Sequence, residues 1–150
     1  MNTEKIRKQF IIVKCLVVDK LGRILFVRRQ MEEHKEAHNK WEFPGGKVEF
    51  SETPEDTAVR ETKEESGYDV EIDYLLPKIL SSKWESEERE AQKILICYVG
   101  QLIGGEQRLG DHGVNEIRWF SGDNIPSDSE CLPGTIDFFK LYTNRTKDNK

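Results

Sequence analysis

The alternation of apolar and polar stretches divides the chain into elements. Phe10 to Val18 is apolar and β-branched, which predicts a buried strand. Asp19-Lys20-Leu21-Gly22 predicts a turn and Arg23 to Arg28 a second strand, so the two form a hairpin. Gln30 to Asn39 is polar and predicts a surface loop, after which Trp41-Glu42-Phe43 leads into a backbone turn at Pro44-Gly45-Gly46. Thr53 suits a helix N-cap, with Pro54 at the first helical position and Asp56 as the capping acid. The helix is expected from Pro54 to about Ser66, stopped by Gly67 in the left-handed conformation. Its apolar stripe is thin, limited to Ala58, Val59 and part of Thr62, which suits a site-bearing helix better than a core builder. Val70 to Leu80 predicts one or two strands, Glu85 to Glu90 a charged loop, and Ile94 to Leu102 a second strongly apolar strand. Gly104-Gly105 predicts a turn, Ile117 to Phe120 a short strand, and Ile136 to Tyr142 a terminal helix that frays from Asn144. Strands, one central helix, further strands and a final helix predict an α/β (α+β) domain, a mixed sheet with helices packed on it.

The central helix carries an electrostatic anomaly. Glu61, Glu64 and Glu65 fall at i, i+3 and i+4 and share one face. They crowd the C-terminal end, where the helix dipole is already negative and like charges repel. Such an arrangement needs a cation from elsewhere. A hard divalent metal held by carboxylate oxygens is the simplest, and Mg2+ the first choice, with Mn2+ as an alternative.

Bulk properties narrow the partners. The 150 residues suit one domain over residues 1–150, with a core at about 9–143. A net charge of −5 argues against a nucleic-acid polymer or an anionic membrane as partner, and an anionic small substrate would need metal or local cations to approach. Cys15, Cys97 and Cys131 are widely spaced and form no CxxC pair, against a disulfide framework or zinc site. No apolar run approaches a transmembrane length and no signal-type segment follows Met1, so a cytoplasmic location is expected.

Gly46, five residues, Glu52, seven residues, Arg60-Glu61, two residues, Glu64-Glu65, one residue and Gly67 together resemble the box of the Nudix hydrolase family. All seven fixed positions match, and a chance match is on the order of 1 in 10^5. Thr62 and Tyr68 depart from the aliphatic residues usual at two variable positions, both of them packing positions. Trp41 to Glu49 and Val27-Arg28-Arg29 resemble the MutT-like branch, so the similar stretches span roughly residues 10 to 75.

The resemblance implies a Nudix-type α/β/α sandwich. It also implies Mg2+-dependent attack of water on a nucleotide's pyrophosphate linkage, giving a nucleoside monophosphate and, from a triphosphate, pyrophosphate. Modified (d)NTPs fall within that class. ADP-ribose or another nucleoside diphosphate derivative is the alternative. Carried over, Glu61, Glu64 and Glu65 are metal ligands with the Gly46 carbonyl. Glu61 is the first choice of general base, and Arg60 orients the carboxylates, paired with Glu52. Asp111 is the later-loop acid that would complete the metal shell, and Arg29, Phe43 and Lys47 are the expected substrate contacts. Small members of the family often dimerise, which leaves a homodimer open. Phe43 reads equally as core or as base-pocket lining. Trp84, between Lys83 and Glu85, is odd for a core position, and base stacking, a dimer contact and plain partial burial all stand for it. A catalytically silent nucleotide-binding module is the reading from a different class, set against it by the intact glutamates.

Overall fold

The computed structural model describes residues 4–110 and 113–148. It contains strands β1 (Ile6–Val18), β2 (Ile24–Arg29), β3 (Trp41–Glu42) and β4 (Gly45–Lys47), followed by helix α1 (Pro54–Ser66). Strands β5 (Tyr68–Leu75), β6 (Leu80–Glu85), β7 (Arg89–Gly105) and β8 (Val114–Phe120) come next, and helix α2 (Thr135–Asp148) closes the described chain. The strands form one mixed sheet whose backbone order is β3-β2-β1-β7-β5, with β4 on β1, β6 on β7 and β8 on β2. Its centre is a long parallel pairing of β1 with β7, from Ile6 opposite Arg89 to Val18 opposite Gln101.

Strict alternation along these strands builds two cores. Ile12, Leu16 and Val18 of β1 join Ile24, Phe26, Cys97, Val99 and the α2 residues Phe138 and Phe139 on one face. Val13, Cys15, Val17, Leu25 and Val27 pack with Ala58 of α1 on the other. The result is the expected α/β/α sandwich. Cys15, Cys97 and Cys131 are free and buried. Among the described residues no helix is long and apolar enough to cross a membrane.

Several boundaries differ from the sequence-based expectation. β1 starts at Ile6 and β7 at Arg89, so the charged loop shrinks to Ser86 to Glu88. Polarity misleads here because the polar residues are paired across strands. Arg7 Nε donates to Glu90 at 2.9 Å, Gln9 to Gln92 at 2.6 Å, and Lys5 pairs with Glu85. Gly104 and Gly105 continue β7 opposite Asp69 and Tyr68 instead of turning the chain. α2 continues past Asn144, and the Arg145 guanidinium stacks 3.6 Å from the Tyr74 ring centroid.

α1 has the predicted limits, the Thr53/Asp56 capping box and Gly67 at φ 84°. Its buried face is not the expected apolar one, since Val59 is exposed while Thr57, Ala58, Thr62, Glu65 and Ser66 are buried. The hydroxyls satisfy themselves locally: Thr62 donates to the Ala58 carbonyl at 2.7 Å and Ser66 to the Thr62 carbonyl at 2.6 Å. Tyr68 is anchored similarly, its hydroxyl accepting from Trp119 Nε1 and donating to Gln107, both at 3.1 Å. The two departures from the family's aliphatic positions are thus accommodated by hydrogen bonds.

Candidate active site

β4 brings the glycine pair against α1. Gly45 and Gly46 pair with Lys14 and Val13 of β1. A Cβ on Gly45 would strike the Val13 carbonyl, and one on Gly46 would lie 2.5 Å from the Glu61 carboxylate. The absent side chains therefore let the strand and the helix's acids approach closely.

Arg60 organises the exposed part of the acid cluster. Its Nε and Nη2 donate to the two Glu52 oxygens at 2.6 and 2.9 Å, a bidentate pairing. Its Nη1 donates to Glu61 at 2.8 Å and Glu64 at 3.2 Å, and Nη2 reaches the Lys47 carbonyl at 3.3 Å. Hydrogen bonds from Arg60 and Thr57 hold the Glu52 carboxyl at about 2, well below the usual carboxylate range. Hydrogen bonds and charge from Glu52 first, and then Glu61, push the Arg60 guanidinium upward against burial, so it stays charged.

Glu65 occupies the other, buried side. It is 3% exposed, and its Oε1 accepts a 3.3 Å hydrogen bond from the Gly45 N–H. Its Oε2 is buried with no hydrogen-bond partner. Burial first, then the neighbouring Glu42 charge, push its carboxyl up to about 8. An orphaned buried carboxylate oxygen is costly unless something positive arrives.

Glu42 is the residue that the sequence reading missed, together with Lys14. Glu42 is 1% exposed, yet it pairs with Lys14 and accepts from Arg29 Nε at 2.6 Å. Burial pushes the Glu42 carboxyl up, but Lys14 and Arg29 overcome it and hold it below the usual range. The two neighbouring buried acids are thus pushed in opposite directions, Glu42 downward by its two cations and Glu65 upward by burial and by Glu42. A signal was available: Lys14 interrupts the apolar run from Ile11 to Val18, and a lysine in a buried strand needs a partner.

The expected site residues do not all converge. Glu52, Arg60, Glu61 and Glu64 form one hydrogen-bonded group, while Glu65 joins the Lys14–Glu42–Arg29 group beneath it. Arg29 is tied to Glu42, and its electrostatic neighbours include Glu65 and Glu61, so it faces the acids. Lys47 Nζ stands 3.9 Å from the Phe10 ring centroid. Phe43 is a correction: at 1% exposure and 5.0 Å from Phe26, it is core and leaves no surface for a base. Asp111 lies outside the described residues. Among the described residues no three His, Cys, Asp or Glu side chains converge as a ready-made metal cage. Arg60 stands among the carboxylates instead.

The donor set nonetheless fits a hard divalent cation. It consists of carboxylate oxygens, one of them buried without a hydrogen-bond partner, beside a glycine whose missing Cβ leaves the Glu61 carboxylate its room. Gly46→Ala should lower kcat by about a hundredfold, because a methyl there displaces Glu61. Steady-state kinetics alongside thermal unfolding checks this, with near wild-type stability required for the reading.

Comparisons with known proteins identify the family and the fold. The family model described as NUDIX domain matches residues 8–139. An ADP-ribose pyrophosphatase of Methanocaldococcus jannaschii is 33% identical over 114 residues, covering 73% of this chain and 61% of its own length. An 8-oxo-dGTP diphosphatase of Proteus vulgaris is 32% identical over 111 residues, covering 65% of this chain and 96% of its own. The crystal structure of a MutT protein from Methanosarcina mazei Go1 superimposes with a TM-score of 0.73 at 25% identity. That match covers 97% of this chain and 99% of the other.

Proposed function

The chain belongs to the Nudix family and is a hydrolase of phosphoric anhydride bonds, and from that premise we propose that it is a Mg2+-dependent nucleoside triphosphate pyrophosphohydrolase releasing a nucleoside monophosphate and pyrophosphate. Nudix hydrolases generally use divalent metal ions. The observation that carries the reading is the pair of acid groups on α1: one oriented by Arg60, the other ending in the partnerless Oε2 of Glu65.

Glu61, Glu64, Glu65 and the Gly46 carbonyl would hold the ion. Bound there, Mg2+ supplies positive charge to the phosphate oxygens and eases loss of a proton from water. Glu61 accepts that proton at a carboxylate oxygen, and Arg60, itself clamped by Glu52, fixes the direction in which the carboxylate points. Arg29 faces the acids from β2 and offers a guanidinium for a phosphate oxygen. The burial around Glu42 and Glu65 lowers the local dielectric, which strengthens each of these charge contacts.

The test is a 31P NMR product assay with Mg2+ over canonical and oxidised nucleoside triphosphates and ADP-ribose, repeated after chelation by EDTA. Pyrophosphate from the triphosphates, abolished by EDTA and restored by Mg2+, is the expected result. Cleavage of ADP-ribose alone, giving AMP and ribose 5-phosphate, would replace the substrate assignment while keeping the reaction class. No metal-dependent cleavage of any of these would overturn the proposal.

A further inference from the structure

Two cations stand beside the buried acids, and both are committed to the same carboxylate. Glu42 accepts from Arg29 Nε at 2.6 Å on one oxygen and pairs with Lys14 Nζ through the other. Glu65, the second buried acid, accepts only the 3.3 Å hydrogen bond from the Gly45 N–H among the described residues. Its Oε2 has no hydrogen-bond partner. The two acids are almost equally buried, at 1% and 3% exposure, so burial alone does not explain the uneven sharing.

Both cations nevertheless lie close to Glu65. Lys14 pairs with Gly45 across β1 and β4. Its Cδ lies 2.7 Å from the place a Cβ on Gly45 would take, so the lysine stem crosses the residue whose N–H holds Glu65. Lys14 and Arg29 are among the charges that act on Glu65, and Arg29 also feels Glu61. Among the described residues the Arg29 guanidinium bonds only Glu42. A buried cation and a buried carboxylate each cost free energy when unpaired. Without Glu42, the arrangement that relieves both is a shift of Lys14 or Arg29 onto Glu65 Oε2. That contact would fill the open oxygen and cancel the charge that a divalent cation needs.

We propose that Glu42 is a positioning residue for the metal site: it holds Lys14 and Arg29 away from Glu65 and so keeps the Glu65 carboxylate open to a divalent cation. This rests on the reading of the α1 acids as the metal site and adds a residue outside α1 on which that site depends. Both Glu42 oxygens are engaged by the two cations, so Glu42 acts through those cations and not as a ligand. A purely structural Glu42 would contribute to stability alone. A Glu42 that restrains the cations has a second signature, because its loss is repaired when the cations are removed as well.

The experiment is Mn2+ binding without nucleotide, followed by electron paramagnetic resonance at a temperature where circular dichroism shows each protein folded. The proteins are wild type, Glu42→Gln, Glu42→Leu and the triple variant Lys14→Met, Arg29→Met, Glu42→Leu. Glu42→Leu should weaken Mn2+ binding at least about tenfold, and Glu42→Gln, which keeps one acceptor oxygen, about threefold. The triple variant replaces the whole buried ionic group by apolar side chains and leaves no cation to move, so its affinity should return to within about threefold of wild type. Unchanged affinity in either Glu42 variant, or a loss that the triple variant keeps, overturns this inference and leaves the hydrolase reading standing. Absence of a saturable Mn2+ site in the wild-type protein would remove both.

Discussion

Glu65→Gln lowers kcat by about 10^2- to 10^3-fold while the metal-free protein becomes no less stable. The amide keeps the acceptor for the Gly45 N–H and removes a charge that burial and Glu42 already disfavour. The sign of the pH effect follows from the direction of the shift. The folded state binds the Glu65 proton more tightly than the unfolded chain, so the associated stability is complete below the ordinary carboxylate range. It is lost as pH rises from about 4.5 to about 8. The metal-free wild type should therefore lose Tm across that window more than Glu65→Gln does. Differential scanning fluorimetry in EDTA at several pH values checks this, and identical pH profiles for the two proteins would contradict it. Normal turnover in the variant would remove Glu65 from the mechanism.

Glu42→Leu carries the largest expected cost in stability, about 3 kcal/mol or more. It leaves the Lys14 ammonium and the Arg29 guanidinium, with side chains only 14% and 23% exposed, without the carboxylate that holds both. For a domain of this size the corresponding fall in Tm is about 6–12 °C. Relaxation of Glu65 partly offsets the loss, since removing Glu42 takes away a like charge and frees two cations to face Glu65 instead. The double variant Lys14→Met, Glu42→Leu should recover part of the stability, because one of the stranded charges is gone. Chemical denaturation of the three variants measures the coupling. Additive losses from Lys14→Met and Glu42→Leu would show that the pair does not act as a unit.

The legible part of the fold was its local grammar. Thr53, Pro54, Asp56 and Gly67 specify where α1 begins and ends through capping and a left-handed stop, both of which depend only on neighbours in sequence. The apolar runs in β1, β2 and β7 alternate between two faces, so both helical layers follow from them. Strand ends were less legible, because Arg7, Glu90, Gln9 and Gln92 join the sheet through partners more than eighty residues away. The acids of α1 stood out through spacing and position on the helix. The Lys14–Glu42–Arg29 group did not, since its members come from three strands and only the register brings them together. Phe43 looked ambiguous for the same reason: its neighbour Glu42 is polar, and only the packing against Phe26 assigns its side.

Glu61, Glu64 and Glu65 are united by one claim, that they hold a divalent cation which Arg60 and the Gly46 cradle prepare for. The most direct measurement is Mn2+ binding followed by electron paramagnetic resonance, on the wild-type protein and on Glu65→Gln, without nucleotide. The account predicts saturable binding to the wild-type protein, displaced by excess Mg2+ and weakened at least about tenfold in the variant. Equal affinity in the two proteins, or no saturable site in the wild type, would contradict it.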